Sequence, residues 1–235
     1  MQFLRLLKAV LLGSGLLWTV AAQASDRPYL LTSSAAAEED DDRVWGVEAT
    51  WHRSKSQQGL SLATEYAFNP TTSVQLERSR VEDRASGDKG QALGLEFKHL
   101  FNRIGRDGWG WGVNLAVSAA SVDESGWRSQ QWAIKLPYSL LLRESEAMLH
   151  INAGLQKQRD ERREWVASTA FEHKLGTRTK LFVELGREDR STLMHVGVRR
   201  WLKRNRIAVD FGVQQTRNAE GKERGVVVGF GWYEL

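Results

Sequence analysis

From Val44 to the C-terminus, apolar side chains recur at every second position and never at helical spacing. One run reads Trp45, Val47, Ala49, Trp51; another Leu60, Leu62, Thr64, Tyr66, Phe68; a third Trp109, Trp111, Val113, Leu115, Val117. The last reads Val226, Val228, Phe230, Trp232, with Gly229 and Gly231 between them. Neighbouring side chains of a strand point to opposite faces, so each run is a strand with one oily and one polar face. The pattern predicts about 12 strands of roughly 9–12 residues, the length a tilted strand needs to cross a bilayer. The stretch "TSVQLERSRVED" alternates more weakly, through Val74 and Leu76.

Alternation alone does not say which face is inside. A water-soluble barrel buries its oily row, whereas a membrane barrel turns that row to lipid. The polar row carries Glu48, Glu65, Glu77, Glu96, Lys98, Lys135, Glu172, Lys174, Lys180, Glu184, Arg199 and Asp210. Acids and bases nearly balance there, which suits cross-strand pairing inside a lumen, Glu96 with Lys135 or Glu172 with Lys180 for example. The aromatics collect at strand ends: Tyr66, Phe68, Phe97, Phe101, Trp109, Trp111, Tyr138, Phe171, Phe230 and Trp232 toward one rim, Trp51, Trp127, Trp132 and Trp165 toward the other. Amphipathic rings favour the two interfaces of a bilayer, so these residues read as aromatic girdles.

An exported sheet of this size must also hide its edges. The chain has no Cys, so no disulfide can clamp an open edge, and in lipid each unpaired backbone group costs several kcal/mol. Closing an even number of strands removes the edges, with the last strand paired to the one that begins near Val44. The expected fold is all-β, a closed antiparallel up-and-down transmembrane β-barrel of about 12 strands over residues 44–235. Connections fall into two alternating sets. One is highly charged ("SKSQQG", "EDRASGDKG", "QKQRDERRE") and slightly longer than the other ("NPTT", "LGTR", "LKRNR"), and none has the length of a folded plug.

The first 24 residues carry Arg5 and Lys8, an apolar run from Ala9 to Ala22, and Ala22-Gln23-Ala24 before Ser25. That is the order of a secretory signal cleaved after Ala24. Residues 25–43 contain the acidic run Glu38–Asp42 and read as a solvated linker rather than a calcium loop, which needs spaced ligands.

The signal, the antiparallel meander and the aromatic-rich last strand with Phe230, Trp232 and Tyr233 resemble the bacterial outer-membrane β-barrel class. The final residue is Leu235, where that class typically ends on an aromatic. The resemblance implies a place in the bacterial cell outer membrane, contact with its lipid and lipopolysaccharide, and recognition of the last strand by the barrel-assembly machinery. Strand number and length are similar to the small twelve-stranded acidic-sugar porins.

The net charge of +4 is spread among alternating signs and forms no single basic stripe, so nucleic acid is not an expected partner. Of five His, three fall on the polar row: His52, His150 and His195. None begins the His-x-Ser-Asn stretch of the barrel phospholipase, and His52 and His150 lie near opposite rims. "HIN" puts His150 and Asn152 on one face. No catalytic, cofactor or metal set is predicted, and an outer-membrane hydrolase is a remote alternative. Arg78, Arg80, Arg143, Arg162 and Arg163 are rim cations that could meet lipopolysaccharide phosphates. The expected function is a narrow, weakly selective, porin-like channel for small polar solutes, since a selective pore would show rings of one sign. The alternative is a non-conducting barrel with a salt-bridged interior.

Overall fold

The computed structural model describes residues 28–35, 43–122, 126–142, 146–188, 190–219 and 221–234. The signal segment, the acidic run 38–42 and Arg143 lie outside the described residues. The strands are β1 (Val44–Ser54), β2 (Gln57–Asn69), β3 (Thr72–Asp83), β4 (Lys89–Leu100), β5 (Trp109–Val122) and β6 (Arg128–Leu142). They continue as β7 (Ala147–Gln158), β8 (Arg163–Lys174), β9 (Thr179–Glu188), β10 (Ser191–Lys203), β11 (Ile207–Asn218) and β12 (Gly221–Trp232). A single helical turn, α1 (Ile104–Asp107), sits between β4 and β5 and ends on Gly108, whose φ of 77° only glycine adopts freely.

Each strand pairs antiparallel with the next, and β1 closes on β12, from Val47 opposite Trp232 to Ser54 opposite Gly225. The fold is the twelve-stranded up-and-down barrel that the period-two pattern demanded, and the weakly alternating stretch forms a full strand, β3. Both the start of β1 and the end of β12 lie at one rim, here called the terminal rim; the β1–β2 hairpin marks the far rim.

Exposure identifies the outer face. Mid-strand Leu62, Val117 and Phe211 are 52%, 53% and 54% exposed, whereas inward Lys135, Glu184 and Arg199 are 3%, 0% and 0% exposed. A belt of bare hydrocarbon around a polar interior is stable only in an apolar solvent. The aromatics bracket that belt. At the terminal rim Trp45, Tyr66 and Phe68 form a chain of ring contacts (centroids 4.8 and 4.9 Å), Phe101 lies on Trp111 (4.4 Å) and Trp109 stacks on Tyr138 (6.1 Å). Trp51, Trp127 and Trp165 are exposed toward the far rim. The predicted difference in loop length disappears, because strands run on into sequence that reads as loop. The far-rim connections 55–56 and 189–190 are as short as residues 70–71 at the terminal rim.

The bare inward face of β12 has a packing reason. Arg199 on β10 pairs with Asp210 on β11 (Nε to Oδ1, 2.8 Å; Nη2 to Oδ2, 3.1 Å). Arg199 also donates to the Tyr233 hydroxyl (3.3 Å), which donates to Glu48 on β1 (2.7 Å). The Arg199 guanidinium faces the rings of Trp201 and Tyr233, 5.5 and 5.8 Å from their centroids. A Cβ on Gly231 would strike the Tyr233 ring, and one on Gly229 would come 3.0 Å from Asp210. Tyr233, which by parity shares the row of Gly229 and Gly231, points inward, as do buried Phe182 and Trp201. The closing seam is a side-chain network from β10 through β11 and past β12 to β1.

Candidate functional site

The interior is not lined by strand residues alone. All eight residues 28–35 are buried inside the barrel, which corrects the solvated-linker reading of 25–43 for this part; residues 25–27 and 36–42 lie outside the described residues. Residues 28–35, the strap, show no periodicity of their own, and wall side chains set their path.

Glu184 on β9 is the main anchor. Its carboxylate accepts the backbone N–H of Leu30 (2.8 Å), Leu31 (2.8 Å) and Thr32 (2.7 Å). Consecutive amides wrapped on one anion form a nest, the backbone's own anion site. The carboxylate also lies 3.4 Å from His195 Nδ1 on β10. Next along, Asn152 on β7 meets Ser33 twice: it accepts the Ser33 N–H (2.9 Å) and donates to the Ser33 carbonyl (2.8 Å), as a neighbouring strand would. Ser139 on β6 accepts the Ala35 N–H (2.8 Å), and Lys135 donates to the Leu31 carbonyl (3.2 Å). The Tyr29 hydroxyl donates to Glu172 on β8 (2.8 Å), and its ring packs on His150 and Phe182 with centroids 5.2 and 5.9 Å apart.

Leu30 and Leu31 cluster with Leu193 and Val227. The wall makes room for them with small residues: a Cβ on Gly186 would collide with the Leu31 side chain. Gly186→Val is therefore expected to dislodge the strap without breaking the wall. The chain contains no Cys, so a Ser33→Cys probe reports this cleanly. Buried at 1% exposure, it should label slowly with a water-soluble maleimide, and about tenfold or more faster once Gly186→Val is added, the shift expected for about 1.4 kcal/mol.

Most of the charges assigned to the lumen on sequence are buried on inward rows: Glu48, Glu77, Glu96, Lys135, Glu172, Glu184, Arg199 and Asp210. Glu65, Lys98 and Lys180 are half-buried, and Lys174, the last residue of β8, is exposed at the terminal rim. Glu172 and Lys180 form the expected ion pair at 3.2 Å. Lys135, expected to pair with Glu96, also donates to the strap carbonyl of Leu31. The girdle residues Trp51, Tyr66, Phe97, Trp109, Trp111, Trp132, Tyr138, Trp165, Phe171, Phe230 and Trp232 all lie on outward rows, with Tyr66 and Trp132 half-buried and the others exposed.

Sequence reading missed Ser139, and it also missed the relay in which Gln131 donates to Gln156 (2.9 Å) and Gln156 to Glu188. It noted His150 and Asn152 on one face without finding their common partner. The available signal was the apolar triplet Tyr29-Leu30-Leu31, out of place in a polar linker. Ser139 and His150 are register partners joined at 2.8 Å (Oγ to Nδ1), but the same hydroxyl holds the strap. Among the described residues no group of three His, Asp or Glu is arranged to hold a metal ion.

A family model described as Uncharacterised conserved protein UCP029691 matches residues 16–231. No curated protein matches. Among solved structures, a KdgM porin in complex with disordered oligogalacturonate is similar, with 10% identity and a TM-score of 0.55 over 80% of this chain and 98% of that one. LpxR from Salmonella typhimurium gives 9% and 0.58 over 80% and 99%. The Acinetobacter baumannii outer membrane protein Omp33 gives 5% and 0.53 over 84% and 100%. At these identities the likeness is one of fold, that of twelve-stranded outer-membrane barrels.

Proposed function

We propose, for a chain that belongs to the family Uncharacterised conserved protein UCP029691, a bacterial outer-membrane channel for small polar solutes that its own N-terminal segment closes. The observation that carries this reading is the strap of residues 28–35, a non-wall segment held in the lumen chiefly by wall side chains. A barrel that needed only to be rigid would fill its interior from its own strands. Here the fill is a separate stretch whose retention depends on a few wall groups, Glu184 above all, and a stretch so held can leave. Acids and bases alternate along the wall, so weak ion selectivity is expected once it has left. Several solved structures of similar fold are described as porins, which supports the class of function without fixing the solute.

A second reading, a non-conducting barrel, draws on the network of Arg199, Asp210, Tyr233 and Glu48, which ties the wall together across the closing seam. Planar-bilayer recording separates the two. The full chain should give rare or no current steps, and the chain lacking residues 28–35 should give frequent, discrete ones. Silence from both proteins, each shown folded by its heat-dependent gel migration, would leave only the second reading.

A further inference from the structure

The outward rows do not stay apolar up to the far rim. On β11 and β12 they end in Arg217, Lys222 and Arg224, all exposed. Arg217 and Lys222 are register partners on the same outward face. Like charges placed directly opposite each other repel, and a sheet normally avoids them. Arg224 lies one step nearer the hydrocarbon, oriented by a hydrogen bond to Gln215 (Nε to Oε1, 3.2 Å). The carboxylate between Lys222 and Arg224 in sequence lies on the other face of the strand. Glu223 belongs to the inward row and accepts from the Ser54 hydroxyl (2.6 Å) and from the Ser56 N–H (2.8 Å) and hydroxyl (2.5 Å).

Two further cations flank the trio. Arg53, opposite Val226, ends the outward row of β1, and Arg187 on β9 faces Thr192, which in turn faces Arg217. Directly below lie Phe211, Val213 and Val228, 54%, 52% and 42% exposed. A like-charged register pair recurs a third of the way around, where Lys157 is opposite Arg163 beside Trp165. At the terminal rim the outward row of β12 ends instead in the aromatics Phe230 and Trp232.

A soluble anion would meet the cations but leave the hydrocarbon below them idle, and a neutral lipid would do the reverse. We propose that the outward face of β11–β12 at the far rim binds a phosphorylated glycolipid of the outer leaflet, its phosphates on Arg217, Lys222 and Arg224 and its acyl chains along Phe211, Val213 and Val228. Arginine forks match phosphate oxygens bidentately, and several cations on one face suit a headgroup with more than one phosphate. The inference rests on the membrane placement of the barrel, with the termini on the periplasmic side, and not on conductance.

The test is binding to the full purified barrel in neutral detergent, followed by native mass spectrometry. The probes are bisphosphorylated lipid A, dephosphorylated lipid A, phosphatidylglycerol and sodium phosphate. Bisphosphorylated lipid A should bind at least about tenfold more tightly to the parent protein than to Arg217→Gln/Lys222→Gln/Arg224→Gln, and this difference should vanish for dephosphorylated lipid A. Arg200→Gln, at the other rim, should bind like the parent. Equal binding by parent and triple variant overturns the proposal. So does equal preference for phosphatidylglycerol, which would make the face a general anionic-lipid surface, or equal competition by sodium phosphate, which would make it a simple anion site. Should the triple variant fail to fold, the single Lys222→Gln variant is read the same way. Because nothing here requires current, a silent channel leaves this inference standing, and a lost lipid site leaves the channel reading standing.

Discussion

Glu184→Ala should convert a mostly closed barrel into a mostly open one. The substitution removes the shared acceptor of the Leu30, Leu31 and Thr32 amides and leaves all three inside the barrel without it. A buried donor deprived of its partner costs about 1–3 kcal/mol, and bonds to a charged acceptor sit at the upper end. Three such losses destabilise the seated strap by roughly 3 kcal/mol or more, about a hundredfold or more in the ratio of seated to released segment. Water entering the opened lumen resolvates the amides of the released form, so the loss falls on the closed state. Single-channel recording should therefore show frequent open steps in Glu184→Ala at voltages where the parent is quiet. Glu184→Gln keeps one acceptor oxygen but points an NH₂ group at the nest, and should fall between the two. An unchanged open probability in Glu184→Ala, with the variant folded, would show that the strap does not gate passage.

Arg199→Ala should produce the largest loss of stability. Arg199 is fully buried, Asp210 is 7% exposed, and the bidentate bond between them is completed by Tyr233 and Glu48. Removing one member of a buried pair strands the other, at a cost of about 3–5 kcal/mol. The site lies beside the β1–β12 closure, so the damage falls where the sheet would open. The urea midpoint for unfolding from lipid vesicles should drop markedly, and the folded band on an unheated gel should weaken. Adding Asp210→Leu to Arg199→Leu should restore much of the loss, because a matched apolar pair strands no charge. A urea midpoint unchanged in Arg199→Ala would mean that main-chain pairing alone closes the barrel.

Legibility in the sequence follows the range of the interaction that sets each feature. The outward rows were read correctly because alternation is local: Trp109, Trp111, Val113, Leu115 and Val117 need only their neighbours to declare a face. Closure followed from a general prohibition on open edges in lipid, with no knowledge of which side chains meet. The Glu172–Lys180 pair was legible because it joins adjacent strands across a short turn. The bond from Lys135 to the strap was not legible, because its acceptor is a backbone carbonyl and no pattern of charges marks a carbonyl. Parity put Tyr233 on the other face from Phe230 and Trp232. Its inward role shows only when Arg199 and Glu48 are brought beside it.

The order of residues alone determined that this chain makes a closed, twelve-stranded sheet with oil outside and charge within, since strand parity and edge closure leave no other arrangement of such rows in a membrane. What occupies the interior was decided by tertiary structure. The strap's own residues carry no period, and the side chains that hold it come from positions 104 to 154 residues away. Its site exists only after β6 to β9 have set Ser139, Asn152, Glu172 and Glu184 around one space, because an anion nest needs the anion already in place.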